Sequence, residues 1–401
     1  MKVLLLSPQP FYTERGTPIA VDLVIRALSE RGDTVDVLTY HLGRNVEYEN
    51  VRIHRIPPLA FINDVPAGPS FRKLVCSFLL FIKALRMARS GHFDLVHAVE
   101  EAALIAALIR KRYGIPYVYD MDSSMPKQLT AVYPILRSLV PWLRRLEQQL
   151  VRNAEFVLSA SEPVSDIARI YRRDRIVTLP DISLIEERQD MLTQVPALRA
   201  LCSARGPIVM YVGNLTKNRG IRLLLESFAV AQNDARGAHL VIIGGTSAQI
   251  EGHQAYAERL GLTEVVSFLG RQPVRDLGAY LAQADILVSP QLEAVNTPMK
   301  IYSYLASGKP ILATNLPAHT AVIDESSAIL VEPTPNAFAT GLSTLLSDPI
   351  LRRRLGQRGP TIVREGHNYS YFQRKLWGIY SELDHSICQK VANSDLQINS
   401  G

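Results

Sequence analysis

Thirteen short apolar runs alternate with longer amphipathic stretches, and the alternation starts twice. The first series is "KVLLLSP", "TVDVLTY", "VRIHRIP", "DLVHAV", "PYVYDM", "FVLSAS" and "IVTLP". Helical patterns such as "AVDLVIRALSERG" and "EEAALIAALIRKRYG" fall between several of them. Runs rich in β-branched residues and bounded by Gly, Pro or Asp read as strands buried on both faces of a parallel sheet. Residues 184–206 break the pattern, and "PIVMYVGN" then opens a fresh series through "HLVIIGG", "VVSFLG", "DILVSP", "PILAT" and "AILVEP". The expectation is an α/β chain with two Rossmann-like, doubly wound domains at 1–183 and 184–369. A C-terminal helix over 370–386 is expected to pack back on the first domain. A chain of 401 residues fits two cores better than one.

Bulk composition excludes more than it selects. Hydrophobic residues at 47% and charged residues at 20% are those of a globular protein, and a net charge of +6 favours an anionic partner without choosing one. Cys76, Cys202 and Cys388 have no metal-ligand spacing and read as incidental thiols of a reducing compartment. The opening "MKVLLLSPQPFY" has the form of a first strand, not of a secretion signal. No stretch offers the roughly 18 apolar residues of a membrane span. A cytoplasmic protein, with at most peripheral membrane contact, is expected.

Four segments carry the candidate chemistry. In "QLEAVNTPMKIYSYLASGKP" a strand leads to Thr297 as N-cap and Pro298 at the first helical position. The amides of Met299, Lys300 and Ile301, with the Lys300 charge, then suit a phosphate. In "YVGNLTKNRGIRLLLESF" the strand ends at Gly213, and a polar loop carries Asn214, Lys217 and Arg219, cations able to clamp a diphosphate. The loop of "SPQPFYTERGTPIAV" ends in Gly16–Thr17–Pro18, where Thr17 can cap and Pro18 can start a helix. It is not a dinucleotide fingerprint. "YVYDMDSSM" sets Asp120 and Asp122 at a strand end, whereas His97 reads as a core histidine.

Taken in order, these segments resemble the GT-B fold glycosyltransferases of family 4. "RALSERGDTVDVLTY", "YVGNLTKNRGIRLLLESF", "LVIIGG", "VVSFLGRQP", "ADILVSP" and "ASGKPILATNLPAHTAVI" carry the likeness along nearly the whole chain. The resemblance implies a retaining enzyme that moves a sugar from a nucleotide-diphosphate sugar to a glycan, lipid-linked or small-molecule acceptor. It implies neither a metal nor another cofactor, and no nucleic-acid partner. The donor would lie in the second domain, on Gly213, Asn214, Lys217, Arg219, Gly245, Arg271, Glu293, Thr297, Pro298, Met299, Lys300 and Ser303. The acceptor would lie on the first, near Gly16, Thr17, Asp120 and Asp122, with Asp122, Arg219 and Lys300 as the catalytic groups.

The chain departs from the family at several of these positions. The usual Arg–Lys pair falls on Asn214 and Arg219, so Lys217 or Lys300 must make up a charge. The two glutamates eight residues apart fall on Val295 and Ser303, with Glu293 close by as a substitute. Asp122 stands where a histidine is frequent. A divergent active enzyme, an altered donor, and a non-catalytic sugar-nucleotide-binding partner of another transferase all fit these departures; a nucleotide-sugar epimerase of the same fold fits less well.

A last feature lies in the first domain. "FRKLVCSFLLFIKALRMARS" has five basic residues and no acidic one, and "MPKQLTAVYPILRSLVPWLRRLEQQLVR" is also basic, with Tyr133 and Trp142. Such helices lie on anionic membranes or cover a sheet with their cations in solvent.

Overall fold

The computed structural model describes residues 1–66, 68–185, 195–232, 237–293 and 297–398, with side chains through residue 389. The chain forms two compact units, Met1–Pro180 with Phe372–Gly401, and Asp181–Tyr371. All thirteen apolar runs are strands, all parallel to their neighbours.

In the first unit, β1 (Lys2–Leu6), β2 (Thr34–Thr39), β3 (Val51–Arg55), β4 (Leu95–Val99), β5 (Tyr117–Met121), β6 (Phe156–Ser159) and β7 (Ile176–Thr178) form one sheet. Its order is β3-β2-β1-β4-β5-β6-β7. β4 and β6 are buried at every position because helices cover both faces, which is why their sequences run apolar instead of alternating. The terminal helix that starts at Tyr369 belongs to this unit from Phe372 onward. Phe372, Leu376, Tyr380 and Leu383 form its buried stripe at helical spacing. Trp377 donates to the Ala27 carbonyl at 2.6 Å, and Asp384 pairs with Arg31 at 2.7 Å.

In the second unit, β8 (Ile208–Val212), β9 (His239–Ile243), β10 (Val266–Gly270), β11 (Ile286–Ser289), β12 (Ile311–Thr314) and β13 (Ala328–Val331) run in the order β10-β9-β8-β11-β12-β13. Both sheets are therefore doubly wound. The strand order reverses between β1 and β4 in one and between β8 and β11 in the other. Loops leaving the carboxyl ends of two such strands diverge to opposite faces and open a crevice, where ligands of α/β sheets bind.

Two helix starts differ from the sequence reading. The first-loop helix is Gly16–Glu30 with Arg15 as N-cap, so Thr17 lies inside the first turn and does not cap it. The helix after β11 is Lys300–Ala306 with Met299 as N-cap and no side-chain cap bond. Thr297 is buried and spends its hydroxyl on the Tyr302 phenol. The Ile301 amide, expected to be open, donates to the Pro298 carbonyl at 2.9 Å. Pro298 shapes a turn ahead of the helix instead of its first helical position.

Candidate active site

The second unit gathers its cations at the β8/β11 switch. Tyr211, in β8, is fully buried and donates its phenol to the Asn214 carbonyl at 2.6 Å, which fixes the loop that follows. The Lys300 ammonium rests over the Tyr211 ring, 3.8 Å from its centroid. A Cβ on Gly213 would stand 3.2 Å from the Tyr211 hydroxyl and 3.8 Å from Lys300 Nζ, so glycine keeps this strand end open. Burial holds the Lys300 ammonium well below the ordinary lysine range, and the Arg219 charge pushes it further down. Neither cation has a carboxylate partner among the described residues. Two like charges near enough to repel each other, one of them partly desolvated, are a site short of an anion.

Backbone close approach places Arg219. Its loop ends at Gly220, whose φ is +71° and whose Cβ would fall 1.7 Å from the Pro290 carbonyl oxygen. Only glycine lets this loop lie against the segment leaving β11, where the Leu292 amide also donates to the Asn218 carbonyl at 3.0 Å. Across β9, Gly244 has φ +120° and its Cβ would meet the Gly213 carbonyl at 2.1 Å. Gly245 follows at φ +87°, and its carbonyl accepts the Arg271 Nε–H at 3.2 Å.

The other expected donor residues divide by exposure. Asn214, Lys217 and Glu293 are exposed, and Pro298 and Met299 are partly buried. Ser303 is fully buried, and its Oγ accepts the Leu184 amide at 3.0 Å, so it serves to tie residue 184 to the helix. Val295 lies outside the described residues.

His319, not singled out from sequence, underlies the site. It is fully buried, with Nδ1 2.7 Å from the Thr314 carbonyl and Nε2 2.9 Å from the Ser289 hydroxyl. Those partners fix the tautomer with the proton on Nδ1. Burial, then the charges of Lys300 and Arg219, push it down to about 4, so it is neutral at physiological pH. Thr314 Oγ1 in turn donates to the Gln291 carbonyl at 2.7 Å and pins the segment after β11. The signal was present in "NLPAHTAVI": a histidine two residues after a proline at a strand's carboxyl end.

The first unit presents carboxylates at its own strand ends. Asp120 Oδ2 lies 3.3 Å from His97 Nε2, and His97 Nδ1 lies 2.8 Å from the Tyr380 hydroxyl, so His97 is a partnered core histidine. Asp122 and the Gly16–Thr17 turn lie at the same end of the sheet. The residue that sequence reasoning missed is Glu100, directly after β4 at φ +52°. Its two oxygens accept from Ser123 and Gln128, each at 3.3 Å. Burial first, then the charge of Glu101, raise its carboxyl to about 7. The reading of "EEAALIAAL" as plain helix concealed it, because the helix begins only at Ala102.

Among the described residues, no group of three or more His, Cys, Asp or Glu is placed to hold a metal, and no helix is long and apolar enough to cross a membrane.

Comparison with known proteins bears directly on this geometry. The profile described as Glycosyltransferase Family 4 matches residues 15–181, and that described as Glycosyl transferases group 1 matches residues 206–348. The chain is 26% identical over 391 residues to D-inositol 3-phosphate glycosyltransferase of Corynebacterium jeikeium, covering 92% of each. Sucrose-phosphate synthase of Thermosynechococcus elongatus superimposes with a TM-score of 0.76 at 21% identity, over 96% of this chain and 99% of that one. The Anabaena protein HepE, solved with UDP-glucose, superimposes with a TM-score of 0.72 at 16% identity, over 95% and 100%. Two doubly wound parallel sheets, a glycine-opened pair of unpaired cations at the second switch point, and relatives of this kind over nearly the full length place the chain among the group 1 glycosyltransferases of family 4, enzymes of GT-B fold that transfer sugar from a nucleotide sugar.

Proposed function

We propose that the enzyme is a retaining transferase that holds the donor diphosphate between Lys300, Arg219 and the Gly213 turn. The observation that carries this reading is the Lys300 ammonium, partly buried over the Tyr211 ring, within reach of the Arg219 charge and without a carboxylate partner among the described residues. In the reaction the bond from the anomeric carbon to the donor phosphate breaks, and a bond from that carbon to an acceptor oxygen forms on the same face. The acceptor proton passes to an oxygen of the departing diphosphate, whose charge Lys300 and Arg219 neutralise without a metal. Asn214, Lys217, Gly245, Arg271, Glu293 and Met299 line the rest of the donor side. Asp120, Asp122, Gly16 and Thr17 belong to the acceptor side, and Glu100 joins them there. The reading further places the enzyme at the cytoplasmic face of a membrane, in polysaccharide or glycolipid synthesis.

UDP-glucose is the first donor to try, since HepE was solved with it. Wild-type protein is incubated with UDP-, GDP-, ADP- and dTDP-sugars, and released nucleotide is measured with and without acceptors. Turnover with one donor, with retained configuration in the anomeric proton spectrum of early product, supports the proposal. An inverted linkage overturns retention, and absence of turnover with every donor overturns the assignment of the site.

A further inference from the structure

The helix Phe71–Ser90 of the first unit is apolar on two opposite sides. Cys76, Leu80, Ala84 and Ala88 form a stripe at four-residue spacing that is buried in the core. On the far side Phe71, Leu74 and Phe78 form a second stripe, exposed to 77%, 67% and 61%. A helix that only covered a sheet would carry polar residues there. Ser70 caps this helix, accepting the Lys73 amide at 3.1 Å, so the exposed stripe sits on a well-defined first turn.

A second exposed apolar element adjoins it. The 3-10 turn Pro134–Leu139 and the start of the helix Val140–Asn153 project Ile135 at 85% exposure and Trp142 at 60%, with Leu139 beside them. Tyr133 donates its hydroxyl to the Pro69 carbonyl at 3.4 Å, which joins this knuckle to the start of the first helix. With the adjoining Val132 and Tyr133, the two elements hold eight of the sixteen large apolar residues that the described chain exposes, a concentration that scattered surface residues do not give.

The charge around these residues has one sign. Lys127, Arg137, Arg144 and Arg145 are exposed, and none has a carboxylate partner among the described residues. Residues 70–90 and 123–146 contain no Asp or Glu. The nearest exposed acid on the adjoining loop, Asp64, is paired with Arg15 at 3.4 Å, and Lys73 is paired with Glu101 at 2.8 Å. Apolar side chains at interfacial depth, an indole among them, ringed by unpaired cations, match the boundary of a bilayer with anionic headgroups. A protein partner of ordinary surface would leave these cations unmatched.

We infer that this surface of the first unit docks on an anionic phospholipid bilayer, with Phe71, Leu74, Phe78, Ile135 and Trp142 entering the interface. The inference deepens the membrane placement of the proposed function and fits an acceptor that is itself lipid-linked. Full-length protein is floated with vesicles of phosphatidylcholine alone, and with vesicles containing about one-third phosphatidylglycerol. Wild type is expected to float with the anionic vesicles at low salt, to detach at high salt, and to ignore the neutral ones. Arg144→Glu with Arg145→Glu is expected to lower partitioning by at least about tenfold, since each cation near such a surface contributes to binding. Ile135→Asp with Trp142→Asp is expected to abolish partitioning. Both double variants change exposed positions, and each should keep the wild-type melting point and rate of UDP-glucose hydrolysis in solution. No flotation at low salt overturns the inference, as does equal flotation with neutral vesicles. A wild-type dimer in solution that Ile135→Asp disperses also overturns it, because the surface would then be covered by a second copy. Flotation by a protein that turns over no donor leaves the surface standing and defeats the transferase site.

Discussion

Replacing Lys300 with methionine separates what the free protein pays for its site from what the substrate gains. Methionine keeps most of the side-chain volume beside Tyr211 and removes the ammonium 3.8 Å from the ring centroid. In the free protein that charge is desolvated and faces Arg219, which is why it is held well below the lysine range. Its removal relieves desolvation and repulsion, and forfeits a cation–π contact worth about 2 kcal/mol. The expected melting temperature without ligand is therefore equal to or above that of wild type. In the transition state the balance reverses. The lost cation no longer meets the leaving diphosphate, a contact worth about 3–4 kcal/mol, so kcat/KM falls by roughly a hundred- to a thousandfold. The assays are thermal melts with and without UDP, and initial rates of UDP release. A pH series adds a further readout. Because the free lysine is depressed, diphosphate binding by wild type weakens as pH rises through that lowered value, while Lys300→Arg holds its affinity to higher pH. A Lys300→Met protein that melts well below wild type and yet retains turnover within about fivefold would refute the reasoning, since Lys300 would then be a structural residue.

Other consequences follow from single contacts. Gly220→Ala sets a methyl group on the Pro290 carbonyl at a positive φ, and is expected to lower stability by about 2–4 kcal/mol in urea unfolding; a loss under about 0.5 kcal/mol would contradict the geometry. His319 has a folded value near 4 against 6.5, so its contribution is present above pH 6.5 and is lost, by about 3 kcal/mol at most, as pH falls toward 4. Glu100 has the opposite sign. With its carboxyl raised to about 7, its contribution is complete below about pH 4.5 and is lost as pH rises through 7, by no more than about 3 kcal/mol and less where solvent reaches it. The two slopes oppose each other between pH 4.5 and 6.5, so wild type should show a shallow profile there. His319→Gln should then lose stability with rising pH, and Glu100→Gln should gain it. Profiles parallel to wild type in both variants would show that neither group titrates as described.

The parallel sheets were legible because a strand buried on both faces must be apolar throughout, and such runs stand out from amphipathic helices. The Gly213–Arg219 loop and Lys300 stood out in the sequence as cations placed after apolar strands. What could not be read were contacts made by the backbone. Thr297 looks like an N-cap because Thr–Pro so often is one, yet tertiary packing gives its hydroxyl to Tyr302 and starts the helix at Lys300. Gly220 stands directly before a helix, and its meeting with Pro290 depends on a strand seventy residues away. His319 and Glu100 were hidden for a related reason. Each is defined by partners from other elements, Ser289 at a strand end in one case and Ser123 with the helical Gln128 in the other, that no local pattern announces. Ser303 stands at a position where the family carries a charged acceptor, and only its burial against Leu184 shows that it has taken up packing.

The central claim is that the donor diphosphate rests on Lys300 and Arg219. Calorimetric titration of UDP into wild type and into a Lys300→Met/Arg219→Met double variant tests it most directly. The account predicts saturable binding by wild type that weakens with salt, and loss of at least about a hundredfold in affinity by a variant that remains folded. Equal affinity of the two proteins for UDP would contradict it.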